Sequence, residues 1–321
     1  MPRKRNSLKH DLFILATQEV KNNRTRTTYK RSITRFVKWA KEHNIKKKED
    51  ITEQVIQDYH NDLANDPKQY TAATIHTYLA PVCKATNINM NRIRKNKRTS
   101  DTIIRGRKRE KNAQGKRQEN DSRFSRVIAF QKAVGIRRSE LYDLKGEDLK
   151  RDASGNYYVI VQRGKGGKYQ EQLILPQDVP LVLKTFKNIA NDENVFSKEE
   201  MNNLINFHGM RAQHARDCYF YYLQKIQTDK NYAKNLQKKL INSWEIGHQK
   251  LWNESNKKFL KQRNAFIYDL RDEPYKLRGA NYKKAVGAGM PTTYNRLALM
   301  AVSVLNLSHW RLSVTVTNYI L

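Results

Sequence analysis

From Leu8 to Ile93 apolar residues recur three and four positions apart: Tyr29, Ile33, Phe36, Val37 and Ala40, then Val55, Ile56, Tyr59 and Leu63, then Ile75, Tyr78, Leu79 and Val82. That spacing repeats one face of an α-helix and predicts a domain of four helices packed through these stripes. The pattern lapses between Arg92 and Arg117, which predicts a flexible linker. It resumes near Ser122 as a helix. Aromatic and β-branched residues then concentrate in Tyr157-Tyr158-Val159-Ile160-Val161 and Gln172-Leu173-Ile174-Leu175, predicting a hairpin around the turn-rich Arg163-Gly164-Lys165-Gly166-Gly167-Lys168. Helical spacing follows to the end. The expected fold is mainly α with a small antiparallel β-sheet (α+β), divided into a helical domain at 1–93, a linker at 94–118 and a second domain at 119–321.

Charge changes what this scaffold is for. The 321 residues hold 62 Lys and Arg against 31 Asp and Glu, a formal net charge of +31. A polyanion is the natural partner. So much charge alone would favour disorder, but one residue in ten is aromatic and these rings sit in the periodic segments, as packed cores require. With no long uncharged apolar run, lipidation signal or secretory leader, the expected location is the cytoplasm, with no membrane partner. Cys83 and Cys218 are too few for a disulfide framework and are expected to be small buried residues.

Within the helical domain, Arg24, Arg26, Lys30, Arg31, Arg35 and Lys38 have few acidic neighbours. Such a run is often only a solvated face, but its imbalance favours contact with DNA. The linker adds Arg105, Arg107, Lys108 and Arg109, able to follow a phosphate backbone.

Four later segments each have a plain structural reading. Gly135-Ile136-Arg137-Arg138-Ser139-Glu140-Leu141 suits a helix after a glycine break. Gly164-Lys165-Gly166-Gly167-Lys168 suits a hairpin tip, and His208-Gly209-Met210-Arg211 a helix start. Leu307-Ser308-His309, with Tyr319 ten residues on, suits a last helix. Taken in order, however, they resemble the boxes of the tyrosine recombinases, the phage-type integrases, over roughly residues 120 to 321. The resemblance implies a catalytic domain at 119–321 and an N-terminal core-binding domain. It implies Arg137 as the first catalytic arginine with Glu140 supporting it, Lys165 on the hairpin, His208 and Arg211 as a pair, His309, and Tyr319 as nucleophile. Arg138 is the alternative to Arg137 and is otherwise expected at DNA or solvent; Lys168 is the alternative to Lys165.

The chemistry asks for such a set independently. Attack on a phosphodiester concentrates negative charge on the phosphoryl oxygens, which two guanidinium forks pair with well. A tyrosine hydroxyl, with a reference pKa near 10, needs a proton acceptor, here expected to be His208. The departing 5′ oxygen needs a proton, expected from Lys165 and worth about 10²- to 10⁴-fold. His309 is expected to donate to a nonbridging oxygen. With arginines stabilising the charge, no metal and no other cofactor is expected; the resemblance further implies a covalent 3′-phosphotyrosyl intermediate, which would conserve bond energy without ATP.

The resemblance implies double-stranded DNA with specific attachment sites as the substrate, a tetramer on paired sites, accessory DNA-bending proteins, a place at the nucleoid and an origin in a phage or other mobile element. Three features depart from the pattern. Arg211 and His309 lie 98 residues apart, which implies an insertion around 224–293 that either contacts DNA or a partner subunit or is a helical elaboration. The step from His309 to Tyr319 is one residue longer than is commonest, and two residues follow Tyr319 where many members of the resembled family continue into a tail that packs on a neighbouring subunit. Either the protein manages without that tail or the sequence is a truncated piece, and the mode of assembly is left open. Glu245-Ile246-Gly247-His248 imitates a Gly-His box, but no tyrosine follows it at the right distance. The alternatives are a type IB topoisomerase and a DNA-binding protein without activity.

Overall fold

The computed structural model describes residues 7–96, 113–164 and 169–321, which divide into two compact units, one within 1–103 and one within 104–321. Arg105, Arg107, Lys108, Arg109, Lys165 and Lys168 lie outside the described residues.

In the first unit, α1 (Leu8–Thr17), α2 (Asn23–Glu42), α3 (Glu53–Asn65) and α4 (Ala72–Thr86) begin at side-chain caps, from Ser7, Asn22, Thr52 and Thr71 respectively. Each cap accepts a backbone N–H that the first turn leaves without a partner, so the polar residue before each apolar stripe sets where the helix starts. Helix α4 ends at Asn87, whose left-handed backbone (φ 58°) suits the C-cap. The stripes meet in one core through Leu12, Ile33, Phe36, Ile56, Tyr59, Leu79 and Val82, as their spacing predicts.

The second unit opens with α5 (Ala113–Glu119), so the end of the expected linker is helical. Next come α6 (Ser125–Val134) and α7 (Arg138–Leu141), then an antiparallel sheet of β1 (Leu149–Arg151), β2 (Tyr157–Val161) and β3 (Gln170–Leu173). The hairpin strands run in register from Tyr158 opposite Leu173 to Val161 opposite Gln170. The second strand therefore starts at Gln170 rather than Gln172. Strand β1 was not foreseen, because Leu-Lys-Arg carries no apolar run. After α8 (Val179–Phe186) and α9 (Lys198–Met201), the long α10 (Phe207–Thr228) leads into α11 (Lys230–Gly247), α12 (Gln249–Glu254) and α13 (Asn256–Asp269). Strands β4 (Tyr275–Lys276) and β5 (Thr293–Tyr294) pair around α14 (Gly279–Gly287), and α15 (Arg296–Ala301) and α16 (Leu312–Thr315) close the chain. Among the described residues no helix is long and apolar enough to cross a membrane.

Two cores meet along α10. Phe207 and Met210 pack with α6, the sheet and α8, through Phe130, Val159 and Val182. Ala212, Ala215, Cys218 and Tyr222 pack instead with Leu240, Trp244 and Phe266 of the inserted helices and with Leu299, Leu305 and Tyr319. Arg211 stands where α10 passes from one core to the other.

Candidate active site

Gly135 ends α6 in a left-handed conformation (φ 64°), and a Cβ there would lie 2.4 Å from the His214 ring. Only glycine fits such a position without shifting its neighbours. The turn delivers Arg137 to the cap of α7, where its backbone N–H donates to Glu140 Oε2 at 2.8 Å and its guanidinium donates to Glu140 Oε1 at 2.6 Å. Glu140 is buried, so it fixes the fork while Arg137 keeps an exposed edge. Gln170 joins them from β3, accepting from Arg137 and donating to Glu140, both at 3.3 Å.

Asn206 caps α10 and sets His208 and Arg211 one turn apart. Arg211 is only 1% exposed. It donates to the carbonyls of Gly135 and Leu307, the latter at 2.9 Å, while its Nε has no hydrogen-bond partner. Burial depresses its pKa and neighbouring Arg137 adds to this, while Tyr319 and Glu140 act to raise it. A buried cation held by carbonyls, with one donor unused, is costly unless an anion completes it.

The last segment brings the remaining groups. His309 Nε2 lies 3.0 Å from the Tyr319 hydroxyl oxygen. The Tyr319 ring also meets the exposed His208 ring edge-on, centroids 5.6 Å apart, and lies 5.6 Å from the Arg211 guanidinium carbon. Tyr319 itself is 5% exposed. It sits in a π-helical turn, Val316–Ile320, closed by a 2.9 Å bond from the Leu321 N–H to the Val316 carbonyl. Such a turn holds one residue more than an α-turn. Arg216 donates to the Tyr319 carbonyl at 3.2 Å.

His309 is flanked by two residues with left-handed backbone, Ser308 (φ 52°) and Trp310 (φ 58°). Asn adopts such angles readily at turns and caps, but for a bulky residue such as Trp they are costly and persist only where the surroundings impose them. Here Ser303 accepts the His309 N–H through its carbonyl (2.8 Å) and the Arg311 N–H through its hydroxyl (2.9 Å), and Gln172 donates to Ser308 Oγ at 2.8 Å.

Arg137, Glu140, His208, Arg211, His309 and Tyr319 thus converge. Arg138 does not: it donates to the carbonyls of Met201 and Asn203 and lies over Phe207, so it braces the fold rather than reaching outward. Gln170, Gln172 and Arg216 carry no motif that marks them in the sequence. The signal for the two glutamines was polar residues at alternate strand positions, which proved to be the buried face of β3.

Of the basic residues on α2, Arg24, Lys30, Arg31, Lys38 and Lys41 are exposed. Arg26 instead donates to the Thr17 and Val20 carbonyls, and Arg35 donates to the Tyr70 hydroxyl while stacked against Tyr70 and Tyr78. Those two hold the domain together.

Residues 13–83 match the family model described as phage integrase, N-terminal SAM-like domain. The match lies within the first unit and runs from α1 to α4. A crystal structure of XerA recombinase aligns at 17% identity over 66% of this chain and 84% of that one, with a TM-score of 0.24, too loose a superposition to carry any argument. A search of the curated proteins found no match.

Proposed function

We propose that this chain, whose residues 13–83 match the N-terminal domain of phage integrases, is a site-specific DNA recombinase that cleaves and rejoins DNA through a 3′-phosphotyrosyl intermediate. The observation that carries the reading is Arg211: a buried guanidinium with an unused donor, next to Arg137 and a tyrosine hydroxyl in contact with a histidine. A phosphodiester supplies the missing anion, and its reaction with Tyr319 uses every other group in the cluster.

In the proposed cycle Arg137 and Arg211 pair with the nonbridging oxygens and stabilise the charge that grows there, with Glu140 and Gln170 holding Arg137 in aim. The Tyr319 oxygen attacks phosphorus, and the bond from phosphorus to the 5′ oxygen breaks. Of the two histidines, His309 is the one at hydrogen-bonding distance from the hydroxyl, so it accepts the phenolic proton once its own sits on Nδ1. His208, the base expected from sequence, is assigned to the phosphate: its ring is exposed and meets the ring of the attacking Tyr319 edge-on. Lys165 protonates the leaving 5′ oxygen. A 5′ hydroxyl from a partner strand then attacks the phosphotyrosine and returns each proton.

Specific attachment sites, a tetramer on paired duplexes, DNA-bending accessory proteins and a place at the nucleoid belong to the same proposal. Relaxation of supercoils by a type IB topoisomerase would use identical chemistry on one duplex. Incubation with two labelled duplexes tests the difference: strand exchange between them is expected, and relaxation of a plasmid without any exchange would favour the topoisomerase.

A further inference from the structure

We propose that the segment 224–293 is a brace that holds His309 and Tyr319 in reacting position, seated on Trp310 and Thr317. The inference rests on the proposed strand-cleaving site and gives this insertion a positioning role.

The segment is not an appended domain. Its apolar residues Leu236, Leu240, Trp244, Phe259 and Phe266 share one core with Leu305, Leu307, Leu312 and Tyr319. It touches the residues next to the chemistry in two places. Trp310 meets the His248 ring edge-on at 5.5 Å and the Phe266 ring at 6.2 Å, and a Cβ on Gly247 would come 3.4 Å from the indole. Behind this seat the rings are stacked in turn, His248 on Trp244 at 4.1 Å and Trp244 on Phe266 at 5.8 Å. At the second place Asn281 of α14 donates to Thr317 Oγ1 at 3.0 Å, two residues before the nucleophile.

Together they explain a backbone that local sequence does not. Trp310 is a large residue at φ 58°, an angle its own conformational preferences oppose, and Ser308 at φ 52° bears the same strain on the other side of His309. Strain of that kind persists only where the surroundings fix both ends. Gln172 of β3 grips Ser308 and the aromatic seat grips Trp310, so the backbone between them is held taut and the imidazole is aimed at the Tyr319 hydroxyl. Without the seat the strained residue relaxes, and His309 moves with it. The Gly247-His248 pair, which imitates a catalytic box in the sequence, is part of what supports the real one.

The test uses the full chain and three variants: Trp310→Ala, Trp310→Phe and Asn281→Ala. DNA affinity is expected within about two-fold of wild type in all three, because none removes a group that pairs with phosphate. Under single-turnover conditions on nicked duplex, covalent-complex formation by Trp310→Ala is expected to slow about 100-fold, as displacement of a catalytic group by an ångström does. Trp310→Phe, which keeps a ring in the seat, is expected to recover most of the rate, and Asn281→Ala to lose less than Trp310→Ala. In parallel, the imidazole nitrogens of His309 are followed by NMR in the DNA-free protein, assigned by loss of their signals in His309→Asn. Their resonances are expected to move in Trp310→Ala and return in Trp310→Phe. Unmoved His309 resonances in both Trp310→Ala and Asn281→Ala would overturn the brace, even if Trp310→Ala cleaved slowly because it unfolds. A wild-type chain that forms no covalent complex would instead remove the proposed function, while the NMR comparison still decides the brace.

Discussion

His214 gives the second unit a pH dependence that follows from its burial. The ring lies beneath Gly135 with Nδ1 3.0 Å from the Lys132 carbonyl, and it is a neighbour of Arg211. Burial first, and the Arg211 charge second, lower its pKa from 6.5 to about 4. A base whose folded pKa is depressed is protonated first in the unfolded chain as pH falls. Its contribution is therefore intact above the unfolded value of 6.5 and is lost progressively down to the folded value of about 4. At 1.36 kcal/mol per pH unit, taking the protein from pH 7 to pH 5 should cost about 2 kcal/mol through this residue alone. Asp178 works in the opposite direction, its carboxyl pushed up to about 6 by burial and by Asp217, so the raw stability curve mixes the two. His214→Asn separates them, since the amide can still donate to the Lys132 carbonyl but does not titrate. Urea unfolding followed by tryptophan fluorescence at pH 7, 6 and 5, with Trp244 and Trp310 reporting on this unit, supplies the curves. The variant should be less stable at neutral pH, because a smaller side chain leaves a cavity, yet lose about 2 kcal/mol less than wild type on going to pH 5. Parallel curves for the two proteins would refute the reasoning, and would mean that the ring finds a protonated state it can tolerate beside Arg211.

Two further outcomes are expected. Lys165→Ala should cleave ordinary DNA slowly but recover on a substrate whose bridging 5′ oxygen is sulfur, since a thiolate leaves without a proton, whereas Arg137→Ala should gain little; rescue of Lys168→Ala instead would move the donor to that lysine. Replacing the exposed Arg24, Lys30 and Arg31 together by Ala should lower the slope of log affinity against log salt by up to about 2.7, at roughly 0.9 for each phosphate no longer neutralised, and an unchanged slope would take the α2 face out of the DNA interface.

What was legible in the sequence, and what was not, follows the range of the interactions. Arg137 and Glu140, or His208 and Arg211, lie three residues apart, so a short motif records both the side chains and the helical turn that aligns them. The helical stripes of the first unit were readable for the same reason. Gln172 and Ser308 are separated by 136 residues, and nothing near either one announces the bond. The left-handed backbone at Ser308 and Trp310 was hidden because neither is a glycine; it is imposed by partners far along the chain. Charge misled in the other direction. Arg26, Arg35 and Arg138 looked available for DNA, but their stems and guanidinium groups pack on Phe13, Tyr70 and Phe207, which composition cannot distinguish from an exposed basic face.

The most direct test of the account is the fate of one oxygen atom. Wild-type protein on a nicked duplex should leave a DNA adduct resistant to denaturation, and digestion after Arg311 should place it on the final peptide, 312–321. Tyr319→Phe deletes the hydroxyl and no positive charge, so it should bind the same DNA with affinity within about two-fold and form no adduct. An adduct that persists in the Phe variant, on Tyr294, Tyr282 or any other residue, would contradict the assignment of Tyr319 as the nucleophile and, with it, the site built around Arg211 and His309.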